Sequence, residues 1–220
     1  MLQAVYGFQL SEAFTMNIYD NYLLPRLVNF TCGLKPMMKQ REKVVPLAEG
    51  RVLEIGIGSG LNLPFYTSSK VTHLWGLDPS QETWALGRDK HNKFDFDVEF
   101  IEASAEDIPL ERDSADTVLI TYTICTMPDA IAALKEARRV LKSGGSLLFC
   151  EHGLAPDKSV QRWQHRLNPL WQRIGGGCNL NRPIPELIEQ AGFSIRRMDT
   201  MYVPGWKPAS FNYWGVANHH

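Results

Sequence analysis

Apolar residues along this chain fall into short dense runs separated by stretches with helical spacing, and from residue 50 onward the two kinds alternate. RVLEIG (51–56) predicts a buried strand, VTHLWGLD (71–78) a second, DVEFIEA (97–103) a third and ADTVLITYT (115–123) a fourth. Between them, SQETWALGRDKHNK (80–93) opens on Ser80 with an acid at Glu82, which suits a helix start. PDAIAALKEARRVLKSGG (128–145) has a proline near its first turn, apolar residues at Ile131, Leu134, Ala137 and Leu141, and a glycine pair as terminator. SLLFCEHG (146–153) predicts a fifth strand and PIPELIEQAGF (183–193) a short helix. FSIRRMDTMYV (193–203) and ASFNYWGVAN (209–218) predict two closing strands around the Pro204-Gly205 turn. Strand and helix alternation ending in a hairpin implies an α/β fold: a seven-stranded, mostly parallel sheet with helices on both faces and an antiparallel terminal hairpin.

Residues 1–49 read as a helical N-terminal region. YDNYLLPRLVNFTC (19–32) puts Leu23, Leu27 and Phe30 on one face, which suits either a helix covering the sheet or a lid over an active site. Residues 50–153 carry the alternating core, and 154–220 hold an insertion followed by the closing strands. With no repeat, low-complexity tract or linker in 220 residues, one domain is expected. A composition of 44% hydrophobic and 21% charged residues argues against disorder and against a fibre. The formal charge is -1 with acids and bases interleaved, so no nucleic-acid partner is expected. Cys32, Cys125, Cys150 and Cys178 lack CxxC or finger spacing. Reduced thiols, no disulfide framework and no metal site are therefore the expectation. The opening MLQAVYGFQLSEAFT lacks the positive start and long apolar run of a signal peptide. No segment approaches the roughly 18 apolar residues of a membrane span.

Gly56, Gly58 and Gly60 occupy the turn after the first strand, where an open parallel sheet usually holds its ligand. Positions without side chains let the chain turn tightly and let a ligand rest against backbone N–H groups. The spacing is GxGxG, and the third glycine of the dinucleotide fingerprint would fall on Leu61. A pyrophosphate is thus disfavoured, as is a P-loop, since no GKS or GKT follows. Glu54 precedes the first glycine by two residues, where a carboxylate repels phosphate but attracts an ammonium or sulfonium. Asp78 ends the second strand and can accept two hydrogen bonds from a ribose diol. IEASAEDIPL (101–110) sets Ala105 and Glu106 after the third strand, at the expected place of an adenine edge. Together these features suit a positively charged adenosine ligand.

The ordered set ExGxGxG, an Asp after the second strand, xAEDIP and the LKSGG turn resembles the class I S-adenosylmethionine-dependent methyltransferases over about residues 45–152. The resemblance implies a Rossmann-like fold and S-adenosylmethionine as cofactor, leaving S-adenosylhomocysteine as product. It implies that Glu54 and the turn Gly56, Gly58, Gly60, with Asn62 and Leu63, hold the methionine part. Asp78, with Pro79 and Ser80, would bind the ribose, Ala105 and Glu106 the adenine, and Thr121 and Tyr122 would lie near the sulfonium. A dehydrogenase is the minor alternative. A catalytically silent cofactor-binding module is the rival from another class.

FCEHG (149–153), QRWQHRLNPLWQR (161–173), GGGCNLNRPIPELIEQAGF (175–193) and TICT (123–126) resemble the thiol-methyltransferase branch called methyltransferase-like seven. That likeness implies a small, apolar acceptor, with sulfur the leading acceptor atom. Quinone-ring O- or C-methylation and N-methylation of phospholipid head groups remain open. His152, at the end of the fifth strand, is the candidate base, with Thr121 beside it in the catalytic set. Tyr19, Tyr22, Cys125, His152 and Cys178 are expected to line the acceptor site. Trp163, Trp171, Trp206 and Trp214 are expected to be mostly core, with one or two in an apolar cleft. Animal members of the branch carry a hydrophobic N-terminal anchor that is not obvious here, so the expected location is cytoplasmic, with peripheral membrane contact left open.

Overall fold

The computed structural model describes residues 23–87 and 95–219. Its seven strands are β1 (Gly50–Ile55), β2 (Val71–Asp78), β3 (Asp97–Glu102), β4 (Ala115–Thr121), β5 (Leu141–His152), β6 (Ser194–Tyr202) and β7 (Phe211–Asn218). They form one sheet in the order β3-β2-β1-β4-β5-β7-β6. β1 pairs in parallel with both β2 and β4. β7 inserts antiparallel between β5 and β6. The expected mostly parallel sheet with a terminal hairpin is therefore present. The chain runs outward from β1 to β3 on one side and restarts at β4 on the other, which leaves a crevice at the carboxyl ends of β1 and β4.

Six helices are described: α1 (Leu24–Cys32), α2 (Lys35–Arg41), α3 (Gln81–Ala85), α4 (Ala130–Val140), α5 (Lys158–Ile174) and α6 (Ile184–Gln190). α3 starts where Ser80 accepts a hydrogen bond from the Thr83 N–H, and residues 88–94 of the expected helix lie outside the described set. α4 is capped by Asp129, which accepts from the Ile131 and Ala132 N–H groups. It buries Ala133, Leu134, Ala137 and Val140 against the sheet. The helix ends at Val140, four residues before the first of the two expected terminator glycines, because Leu141 turns extended and already pairs with Ala115. Lys142 to Gly145 then bulge out before Ser146 rejoins β4 opposite Thr117. Two apolar clusters cover the sheet. One gathers Leu53, Ile120, Leu134, Phe149 and Ile188, and the other Val45, Val52, Leu63, Leu74 and Leu148.

Two expectations about apolar residues are corrected. Trp163 is 56% exposed and Trp206 49%, while Trp171 and Trp214 are only partly buried. For Trp163 the cause is the narrow buried stripe of α5, which encloses only Val160 and Gln164 and leaves that indole outward. Leu23, Leu27 and Phe30 of the N-terminal region are exposed, which departs from the helix covering the sheet but not from the lid. Among the described residues no helix is long and apolar enough to cross a membrane.

Candidate active site

The crevice floor is the turn after β1. Gly56 and Gly58 have φ of +75° and +52°, a left-handed backbone that favours glycine. At Gly56 a Cβ would collide with the Thr123 side chain, whereas at Gly58 the nearest atom is Thr83 Cγ2 at 3.7 Å. The first glycine is required by packing, and the second leaves room at the surface of the turn. Asp78 ties this turn to the end of β2: its Oδ2 accepts from the Gly58 N–H at 3.0 Å and its Oδ1 from the Ser80 N–H at 2.9 Å. Ser80, not Asp78, caps the following helix. Burial holds the Asp78 carboxyl above its ordinary range despite those two bonds.

Glu54 is 1% exposed. Its Oε1 accepts from Asn62 Nδ2 at 2.9 Å and its Oε2 from the Tyr66 hydroxyl at 2.6 Å. Burial pushes its carboxyl up to about 7, against the opposing pull of Tyr66, Asn62 and Arg41. Asn62 Nδ2 also donates to Thr121 Oγ1 at 2.9 Å. Arg41, at the end of α2 and itself buried, donates through Nη1 to Asn62 Oδ1 at 2.9 Å and to Thr121 Oγ1. Its guanidinium carbon stands 5.0 Å from the Tyr122 ring centroid, and its Nε has no partner. Tyr122 adopts φ +53°, and its hydroxyl donates to Asn212 Oδ1 at 2.7 Å. The crevice thus carries a buried acid and a buried base joined through Asn62 and Thr121.

The other side of the crevice is built by Glu151, buried in β5. Its Oε1 accepts from the Thr123 and Ile124 N–H groups at 2.7 and 3.0 Å, which fixes the turn that begins at Tyr122. Burial raises its carboxyl to about 7, and its Oε2 is unpartnered. Beside it, His152 Nε2 lies 3.2 Å from Cys178 Sγ, while His152 Nδ1 is buried without a partner. The sulfurs of Cys125 and Cys178 and a nitrogen of His152 all fall within 4.8 Å of one another. A hydrogen bond from Cys125, and then the imidazole, pull the Cys178 thiol down, and the same contact pushes Cys125 up. Burial draws His152 down, but the neighbouring Cys178 outweighs it and leaves the imidazole raised.

A methyltransferase domain model matches residues 53–149. Thiol S-methyltransferase TMT1B of Rattus norvegicus is 34% identical over 179 residues, covering 78% of this chain and 68% of that protein. The chain belongs to the class I S-adenosylmethionine-dependent methyltransferases. The ubiquinone/menaquinone biosynthesis C-methyltransferase UbiE of Sinorhizobium fredii is 38% identical over 156 residues, covering 67% of this chain and 58% of that protein. Among solved structures, an S-adenosylmethionine-dependent methyltransferase from Thermotoga maritima, described as a possible histamine N-methyltransferase, superposes with a TM-score of 0.65 at 22% identity. That alignment covers 93% of this chain and 99% of the other.

The residues of this methyltransferase fit its cofactor, S-adenosylmethionine. A buried carboxylate at Glu54 suits the ammonium, the buried Arg41 suits a carboxylate, and Asp78 at the strand end suits a diol. Of the residues expected at the cofactor, Glu54, Asn62 and Thr121 share one hydrogen-bond network, and Asp78 joins the glycine turn. Leu63 is buried beneath that turn in the apolar cluster, and Pro79 is exposed. Ala105 is buried, whereas Glu106 is engaged elsewhere. Its Oε1 accepts from the Asp129 N–H at 3.2 Å and its Oε2 from the Ser104 hydroxyl. Cys125, His152 and Cys178 come together, while Tyr19 and Tyr22 lie outside the described residues. Sequence reasoning missed Arg41, Tyr66 and Glu151. Tyr66 closes the very segment that holds the glycines, and Glu151 precedes His152, but Arg41 carries no local signal at all.

Proposed function

We propose that this methyltransferase moves the methyl group of S-adenosylmethionine to a small, largely apolar thiol. The observation that carries the reading is the sulfur-rich corner of the crevice, where Cys125, His152 and Cys178 meet at the carboxyl end of β5. The likeness to thiol S-methyltransferases over 78% of the chain supports it. Bound S-adenosylmethionine supplies an electrophilic methyl carbon that needs no covalent enzyme intermediate. In this reading Glu54 and Arg41 hold the two charges of the amino-acid end, and Asp78 holds the ribose. Thr121 and Tyr122 orient the methyl toward the sulfur corner. Positioning and exclusion of water then supply most of the rate. A free thiol titrates near pH 8.5, so an imidazole held toward its charged form favours the attacking thiolate at neutral pH.

A second reading follows from the 38% identity to a quinone C-methyltransferase: a phenolic or quinol ring as acceptor. Incubation with labelled S-adenosylmethionine and separate alkyl thiol, quinol and lipid-amine acceptors, read by mass spectrometry, decides between them. A methylated thioether is expected. Methylation confined to carbon, oxygen or nitrogen would overturn the sulfur assignment, and cofactor binding without any product would favour a silent binding module.

A further inference from the structure

The three side chains at the sulfur corner come from three segments: Cys125 after β4, His152 at the end of β5 and Cys178 in the loop after α5. Their mutual geometry is held from outside. Asn179 donates both its backbone N–H, at 2.9 Å, and its side-chain amide, at 3.0 Å, to the Cys125 carbonyl. Arg182 donates to the carbonyls of Ile124 and Met127 on either side of Cys125. Asn168 of α5 donates to Asn179 Oδ1 and accepts from the Leu180 N–H, so the Cys178 loop is clamped to the Cys125 segment.

Tetrahedral zinc with Zn–S of about 2.3 Å and Zn–N of about 2.05 Å needs sulfurs about 3.8 Å apart and sulfur to nitrogen about 3.5 Å. The corner has Cys178 Sγ 3.2 Å from His152 Nε2 and every ligand atom within 4.8 Å of the others. Side-chain rotations that move the ligand atoms by about an ångström would accommodate the ion. Two thiolates balance its charge, and His152, which gives up its proton when the ion binds, completes a set of two sulfurs and one nitrogen, the ion then taking over from the imidazolium the task of favouring the acceptor thiolate. Three protein ligands with an open position are the arrangement of catalytic rather than structural zinc.

We propose that Cys125, His152 and Cys178 form a binding site for a thiophilic divalent cation of the zinc type, whose fourth position takes the acceptor thiolate. The second half of this proposal rests on the thiol reading above, and the first half does not. On binding, the acceptor S–H bond breaks and its proton passes to solvent. The thiolate lone pair then forms the new S–CH3 bond as the old sulfonium–CH3 bond breaks, its electron pair staying on the sulfur of S-adenosylhomocysteine. The thioether formed is neutral, a weak ligand, and leaves the ion.

Chelator-treated protein titrated with cobalt(II), followed by thiolate-to-cobalt charge-transfer absorption, tests the site without reference to turnover. One equivalent is expected to bind, with zinc displacing it. Binding should be lost in C178S and C125S, and weakened in H152A by at least about tenfold, the loss that even an outer-shell partner typically causes. S-adenosylmethionine calorimetry on each variant reports whether it is folded, and C32S should bind cobalt as the wild type does. Failure of folded wild-type protein to bind at micromolar cobalt, or binding that survives C178S, overturns the site. Addition of an alkyl thiol, but not the matching alcohol, should shift the spectrum, and an unmoved spectrum overturns the open position. Full-rate thiol methylation by metal-free protein overturns the role given to the fourth position and leaves thiol transfer standing. One bound equivalent with no thiol product leaves the cation site standing and overturns the thiol reading together with the role given to the fourth position.

Discussion

A buried carboxylate is useful to a cationic cofactor only when it is ionised, and Glu54 stands at that balance. Its carboxyl is raised to about 7 by burial, so at pH 6 most of it is protonated and at pH 8 most of it is charged. Affinity for S-adenosylmethionine should therefore rise as pH increases through 7, and Glu54→Gln should flatten that profile. Calorimetric titrations at pH 6, 7 and 8 check both. Asp78→Ala should weaken cofactor binding by roughly 1 to 3 kcal/mol, the range for removing a charged hydrogen-bonding partner. Unchanged affinity would dismiss the ribose role and leave Asp78 as the brace of the Gly58 turn. Glu54 and Asp78 stand out in the sequence because each sits at a fixed offset from a strand end, and Asn62 and Thr121 through the family resemblance; the structure joins Glu54, Asn62 and Thr121 in one network. Arg41 could not, because it reaches Thr121 across 80 positions from a helix that no motif marks.

Elements differ in how much of their role pattern reveals. The bounds of β2 are legible because its buried centre, Leu74 to Leu77, is an apolar run on a strand covered on both faces, with Asp78 marking its end. The end of α4 was misplaced because the glycine pair that looks like a helix stop instead relieves a bulge inside β5. α5 hid its function most fully, since its one deeply buried polar residue, Gln164, looks in sequence like any surface glutamine. Its Oε1 accepts from the Ala155 N–H at 3.0 Å, and its Nε2 contacts the carbonyls of Gly153, Leu180 and Pro208, each at 2.9 Å. Gln164→Ala would strand several buried backbone groups and should cost at least about 1 to 3 kcal/mol in urea unfolding. The glycine turn offers a paired test. Gly56→Ala combines left-handed strain with collision against Thr123, whereas Gly58→Ala incurs only the strain, about 1 to 2 kcal/mol. The first should be the more destabilising by thermal melts, and equal losses would remove the packing account.

At the scale of the whole molecule, the cofactor crevice joins parts of the chain that are far apart in sequence, and its charges set how the fold responds to pH. α2 reaches the sheet through Arg41, whose hydrogen bonds end on Asn62 and Thr121. Cofactor at about 100 times its Kd should raise global stability by about 2.7 kcal/mol. Hydrogen exchange should show added protection in residues 35–41 as well as in the glycine turn, and Arg41→Met should abolish that protection in α2. Glu54 and Glu151 have folded carboxyls near 7 against an ordinary 4.5. The folded state therefore holds protons that the unfolded chain releases, and the stability this confers is complete below about pH 4.5 and lost as pH rises through 7. The Cys178 thiol is shifted downward and so acts against the two glutamates, but it is common to the wild type and Glu54→Gln and drops out of their comparison. The melting temperature of the cofactor-free protein should fall from pH 6 to pH 8 relative to Glu54→Gln, by up to roughly 1.4 kcal/mol of stability for each pH unit. Bound S-adenosylmethionine gives the ionised Glu54 a cationic partner, so its stabilising effect should be larger at pH 8 than at pH 6. A cofactor shift independent of pH would mean that the ammonium is held by another group and that Glu54 serves only to anchor Asn62 and Tyr66.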